Sequence, residues 1–128
     1  MEKLNPQYIE DIIALTPLQE GMLFHYLQDP GSRLYCEHLN LEISGPIDRP
    51  LFENAWQAVT QTNEMLRTVF RWEKLAKPSQ IVLKEHQCRV IFYDLSAKDN
   101  CQKKTALEEI KMNDRRAGFN LHEVPFRV

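Results

Sequence analysis

The chain has 128 residues, 43% apolar and 27% charged, the balance of an ordinary globular protein that forms one domain or one lobe of a larger one. Its 16 basic and 18 acidic residues leave a net charge of -2, which builds no electropositive field for nucleic acid. No apolar run approaches the ~20 residues of a membrane span, and Met1-Glu2-Lys3-Leu4-Asn5-Pro6 lacks a signal peptide's apolar core, so the cytoplasm is the expected compartment.

Residues 1–14 are a polar lead with an apolar cluster, Ile9, Ile12 and Ile13, readable as one helical turn or as an extended segment on the body of the domain. The first clear helix starts at Thr16. Thr16-Pro17-Leu18-Gln19 combines a Thr N-cap, a Pro at the first helical position and a Gln for a capping box. Leu18, Met22 and Tyr26 form one stripe, with Leu23 and Leu27 beside it, and Asp29-Pro30-Gly31 stops the helix. Gly21 inside it costs about 1 kcal/mol relative to Ala. Either another backbone or a ligand comes close there, or it is a tolerated surface glycine.

Leu39, Leu41 and Ile43 alternate with Asn40, Glu42 and Ser44, the pattern of a half-buried strand, which Gly45-Pro46 ends. Asp48 caps the next helix with Pro50 in its first turn, and Phe52, Ala55, Trp56 and Val59 give its inward stripe, with Trp56 read as core. Met65 and Leu66 close this helix onto the core. Arg67 then stands at a helix-to-strand junction. It is either exposed at a helix C-terminus, favoured by the dipole, or turned inward, where it needs an acceptor.

A hairpin follows, with arms Thr68 to Glu73 and Gln80 to Glu85, and Arg89 to Tyr93 reads as a further strand. Ser96-Ala97-Lys98-Asp99 resembles a capping start for a helix with Asp99–Lys103 and Lys104–Glu108 pairs. Leu107 and Ile110 face inward there, with Cys101 and Ala106, and Gly118 ends the helix. Val124 to Val128 reads as the start of a strand. This element order suits an α/β or α+β sandwich, helices covering a mixed sheet.

Cys36, Cys88 and Cys101 have no zinc-like spacing and read as buried or half-buried free thiols. The four histidines, His25, His38, His86 and His122, are nowhere adjacent. There is no phosphate loop, His-Glu-x-x-His or Gly-x-Ser-x-Gly, so no metal site is expected, and Glu10-Asp11 and Glu108-Glu109 read as solvated faces.

Three stretches carry a family resemblance. Asn63-Glu64-Met65-Leu66-Arg67-Thr68-Val69-Phe70 resembles the second core motif of condensation domains of nonribosomal peptide synthetases, Arg-His-Glu-x-Leu-Arg-Thr-x-Phe, with Thr62 and Asn63 in place of Arg-His. Leu15 to His25 resembles a Pro-x-Gln-x-Gly-Met-Leu-Phe-His variant of the first motif. Phe119 to Phe126 is similar to Phe-Asp-Leu-x-x-x-Pro-Leu, with Asn120 for Asp and Phe126 for Leu. The resemblance implies the N-terminal lobe of a chloramphenicol acetyltransferase-like fold. In that fold two lobes form a V around a tunnel, which carrier-protein arms enter from opposite faces. Arg67 is then expected to pair with the Asp of a downstream His-His-x-x-x-Asp-Gly motif and so support the catalytic loop. Gln19, Gly21, Met22 and His25 are expected near the tunnel, or else only pack and cap.

That catalytic motif is absent from residues 1–128. The expectation is therefore a lobe cut before the motif, inactive alone and with no catalytic residue of its own. Its partners would be peptidyl or aminoacyl carrier proteins and the C-terminal lobe, with substrates on 4'-phosphopantetheine arms and no cofactor bound by the lobe itself. Self-association through uncovered apolar surface is also expected. The rival readings are a non-catalytic docking module for a carrier protein or subunit, and a lobe of a related epimerisation or acyltransferase domain.

Overall fold

The computed structural model describes residues 4–128, so the first three residues of the polar lead lie outside the described part. At its centre is an antiparallel sheet of three strands, β1 (Ile9–Ala14), β2 (Thr68–Arg71) and β3 (Ser79–Leu83), in the order β1-β3-β2. The Ile9 cluster is thus the extended alternative, a true strand. β3 is buried because it has neighbours on both edges: Gln80, Ile81 and Val82 are all buried, and Val82 is fully so. Val69 lies opposite Ile81, and with Leu15, Leu23 and Cys88 these side chains make a small core.

Three helices flank the sheet: α1 (Pro17–Gln28), α2 (Arg49–Thr62) and α3 (Asn100–Ala117). The capping box of α1 is formed, with the Thr16 hydroxyl accepting from Gln19 N (3.3 Å) and Gln19 Oε1 accepting from Thr16 N (2.9 Å). Its inward side is Gln19, Met22, Leu23 and Tyr26; Leu18 and Leu27 are exposed. Asp48 caps α2 as expected, accepting from Leu51 N at 2.9 Å. The buried face of α2 is rotated from the apolar stripe, however. Phe52, Trp56, Gln57 and Thr60 face inward, while Ala55 and Val59 are exposed. The cause is hydrogen bonding. Gln57 donates to the His86 carbonyl (2.8 Å) and accepts from Cys88 N (2.9 Å), and Gln61 donates to the Lys84 carbonyl (2.8 Å). These amides satisfy backbone that a neighbouring strand would otherwise serve, which is why β3 ends at Leu83 and not Glu85.

The helix-to-strand junction is a turn of 3₁₀ helix, Glu64–Arg67, running directly into β2. In α3 the cap is Asp99, reciprocal with Gln102, and not Ser96. The expected Asp99–Lys103 and Lys104–Glu108 ion pairs are not formed; Lys111 pairs with Glu108 instead, at 3.0 Å. Ala106 and Ile110 are half-buried, but Leu107 and Cys101 are exposed. Gly118 ends the helix with φ +57°, a conformation an L side chain rarely adopts.

Two expected strands differ. Residues 39–44 form no strand and make no backbone pairing among the described residues, and Leu39, Leu41 and Ile43 are all exposed, so the alternation has no covered face. Residues 89–93 and 124–128 are not full strands, yet they meet. Ile91 N donates to Val128 O (2.8 Å) and Val128 N to Arg89 O (2.9 Å), which is one parallel bridge at Val90. The free edge of β2 is covered in turn, where Phe70 N donates to Leu121 O at 2.9 Å.

Candidate functional site

Arg67 is turned inward and buried, at 5% exposure, so the solvent-exposed reading does not hold. Its Nη1 donates to Glu10 Oε2 and to the Leu83 carbonyl, tying the junction to β1 and β3 together. Glu10 can reach it because β1 is irregular there. Ile9 pairs with Leu83 and Asp11 with Val82, so Glu10 is the extra residue of a bulge, which re-aims its side chain. Glu10 is exposed, as a solvated-face residue would be, but it also serves as the acceptor for a buried guanidinium. The break in alternation, two acids between Ile9 and Ile12, was the signal available in the sequence. Arg67 Nε is also buried and has no partner among the described residues.

The four expected residues of α1 divide between two faces. Gln19 and Met22 point toward the sheet, and Gly21 and His25 are exposed. Gln19 and Gln80 exchange amide hydrogen bonds at 3.1 and 3.0 Å, locking α1 to buried Gln80 of β3. A Cβ added at Gly21 would meet nothing within 4 Å, so no part of the described chain comes close to it. His25 lies edge-on to Phe24 and tilted against Tyr35, with ring centroids 5.6 and 6.1 Å away.

Around β2, Trp72 sits between Tyr26 (6.1 Å, edge-on) and His122 (4.3 Å, stacked). Arg71 Nη1 donates to the Phe70 and His122 carbonyls, and burial pulls its guanidinium below its ordinary value, partly offset by the Glu73 carboxylate. His86 is half-buried beside α2, and burial lowers its pKa as well. An open cleft of about 450 Å³ lined by Glu53, Asn54, Gln57, Cys88 and Arg89 includes none of the expected site residues.

The three motif stretches therefore converge on one sheet: the first through Gln19 on Gln80, the second as the start of β2, the third through Leu121 on Phe70. A family model described as Condensation domain matches residues 9–127. The chain belongs to the condensation-domain family. It is 38% identical over 126 residues to surfactin synthase subunit 2 of Bacillus subtilis (strain 168), covering 98% of this chain and 4% of that protein. Tyrocidine synthase 2 of Brevibacillus parabrevis is 34% identical over 125 residues, 98% of this chain and 4% of that one. Gramicidin S synthase 2 of Brevibacillus brevis is 31% identical over 125 residues, 98% of this chain and 3% of that one. The chain thus spans only a few hundredths of the length of these relatives. Membership carries the α/β, chloramphenicol acetyltransferase-like lobe with it. The mixture of helices with a small sheet fits that lobe, and no described helix is long and apolar enough to cross a membrane. Within this stretch Arg67 is buried and hydrogen-bonded to Glu10 and Leu83, and Glu10, as the partner of Arg67, and Gln80, as the partner of Gln19, are residues that sequence patterning did not single out.

Proposed function

We propose that this chain is the N-terminal lobe of a condensation domain that joins carrier-tethered aminoacyl or peptidyl thioesters into a peptide bond. Its work is to form one wall of the tunnel, to present surface to carrier proteins bearing 4'-phosphopantetheine arms, and to brace a catalytic loop on the C-terminal lobe. For that condensation step the proton-handling histidine comes from the other lobe and not from this chain, and the whole enzyme works in the cytoplasm. The observation that carries this reading is the unused donor of Arg67. Its Nη1 is occupied by Glu10 and Leu83, but its buried Nε has no acceptor among the described residues. A buried guanidinium N–H without a partner is costly, and a second carboxylate arriving from another lobe would satisfy it.

The test joins this chain to a second lobe that carries the His-His-x-x-x-Asp-Gly motif and follows dipeptide formation between carrier-bound aminoacyl groups. Arg67→Ala should slow the reaction by about a hundredfold, the loss expected when a catalytic group is misplaced by about 1 Å. Arg67→Lys should rescue poorly, because an ammonium cannot reproduce the planar fork. Unchanged turnover in the Ala variant would remove the bracing role, and no dipeptide from the parent protein would favour a docking module.

A further inference from the structure

A thiol, an imidazole and a carboxylate line up where the loop after α1 meets the end of α3. Cys36 Sγ lies 3.6 Å from His38 Nε2. The other ring nitrogen of His38, Nδ1, lies 3.5 Å from Asp114 Oδ2. Asp114 is itself fixed: its Oδ1 accepts from Arg127 Nε at 2.6 Å, and its backbone carbonyl accepts from Arg127 Nη2 at 2.9 Å. Arg127 is anchored in turn, donating to the Gly118 carbonyl (2.8 Å) and lying 4.2 Å above the Phe119 ring. Each ring nitrogen of His38 is thus assigned one neighbour, the thiol on one side and a held carboxylate on the other.

The local backbone supports this placement. Arg33 and Tyr35 both have positive φ, +53° and +67°, unusual for residues with a Cβ. Each costs on the order of 1 kcal/mol or more, and such outliers persist where the surroundings hold them. Cys36 and His38, two residues apart in the segment that follows, carry no helix or strand hydrogen bonding, and their side chains turn to one side, where sulfur and ring nitrogen meet. Cys36 is half-buried and the His38 side chain is 25% exposed, so a small molecule can reach the sulfur.

We propose that Cys36 is a nucleophilic thiol that accepts acyl groups from thioesters, with His38 as its base and Asp114 as the positioning residue for the imidazole. Cys36 Sγ attacks the thioester carbonyl carbon while His38 Nε2 takes the thiol proton. A new carbon–sulfur bond forms, the old one breaks, and the departing thiolate recovers the proton from His38. The acyl group passes from one sulfur to another with no change of oxidation state and no cofactor, which is why a thioester is the class this arrangement suits. The Asp114 carboxylate faces the imidazole on its far side and favours the positively charged ring that forms midway.

The three cysteines make the test self-controlled. The full chain is incubated with the acetyl thioester of N-acetylcysteamine, and acylation is mapped by mass spectrometry. Cys101 is exposed on α3 and serves as the unassisted reference, while buried Cys88 reports unfolding. Cys36 should acylate about tenfold or more faster than Cys101 despite its lower exposure, a modest share of what a positioned base can contribute. His38→Asn should bring Cys36 down to the Cys101 rate with Cys88 still protected. Asp114→Asn should lower the rate and Asp114→Glu restore much of it. Equal rates at Cys36 and Cys101 in the parent protein would overturn the proposal without reference to any variant. So would a His38→Asn protein that stays folded and reacts as before.

Discussion

Arg67 shows how the position of a charged side chain can be legible while its acceptor within the same chain is not. Its place between helix and strand is plain from the residues around it, but its acceptor, Glu10, lies 57 residues earlier, on a bulge no local pattern specifies. The pair is asymmetric: the Arg67 side chain is 6% exposed and the Glu10 side chain 43%. Glu10→Ala strands a buried guanidinium with only the Leu83 carbonyl, whereas Arg67→Met leaves a carboxylate that water can reach. Denaturant titration should therefore show Glu10→Ala costing about 3 kcal/mol and Arg67→Met about 2 kcal/mol or less. The reverse order would mean that the ion pair is not what holds Arg67 in place. His86 makes a second prediction. Burial lowers it from its ordinary 6.5, so the folded state keeps the ring neutral while the unfolded chain takes up the proton more readily. Its contribution to stability is complete above the unfolded value and is lost as pH falls from there through the lower folded value. The drop in melting temperature between about pH 7 and about pH 5 should be shallower in His86→Gln than in the parent, and identical slopes would show that the ring is solvated.

At the scale of elements, caps were more legible than faces. Thr16 with Gln19, Asp48, and Gly118 each act within a few residues of chain, and each stands where the sequence put it. The inward face of α2 was not legible, because Gln57 and Gln61 bind carbonyls of the segment after β3 and turn the helix away from Ala55 and Val59. Strand existence is harder still. Residues 39–44 have the right alternation but no backbone partner among the described residues, and the backbone of 89–93 pairs with that of the last residues at a single bridge. A strand depends on its neighbour, and the alternation of one segment says nothing about whether that neighbour is present. The candidate site divides the same way: the capping role of Gln19 was visible, while its exchange with Gln80 required the packed sheet. The rotation of α2 also buries Thr60 completely, with its hydroxyl lacking any partner among the described residues. Val has nearly the same shape and no polar atom to desolvate. Thr60→Val should stabilise the protein by about 1 kcal/mol, seen as a higher urea midpoint at unchanged slope. A destabilised variant would reveal a bound water or another acceptor at that hydroxyl.

The whole molecule exposes too much surface for its mass. Surface scaling for a compact monomer of 15.1 kDa gives about 7,100 Å². The chain has 9930 Å², an excess of about 2,800 Å², which falls in the range that obligate protein interfaces bury. Part of that excess is apolar and contiguous in sequence: Leu39 is 85% exposed, Leu41 74% and Ile43 60%, on a segment whose backbone has no ladder partner among the described residues. Such a segment offers unpaired backbone and exposed apolar side chains, the two features that draw another chain onto it. The isolated chain should therefore self-associate, its apparent mass in sedimentation rising from low to high micromolar concentration. Replacing Leu39, Leu41 and Ile43 together by Ser should shift it toward the monomer. These side chains bury little within the chain, so stability should change by only about 0.5 kcal/mol. A parent protein that stays monomeric across the whole range would show that segment 39–44 folds back onto its own chain in solution and that the excess surface is not available for association. Loss of stability comparable to that of Glu10→Ala in the triple variant would say the same by another route.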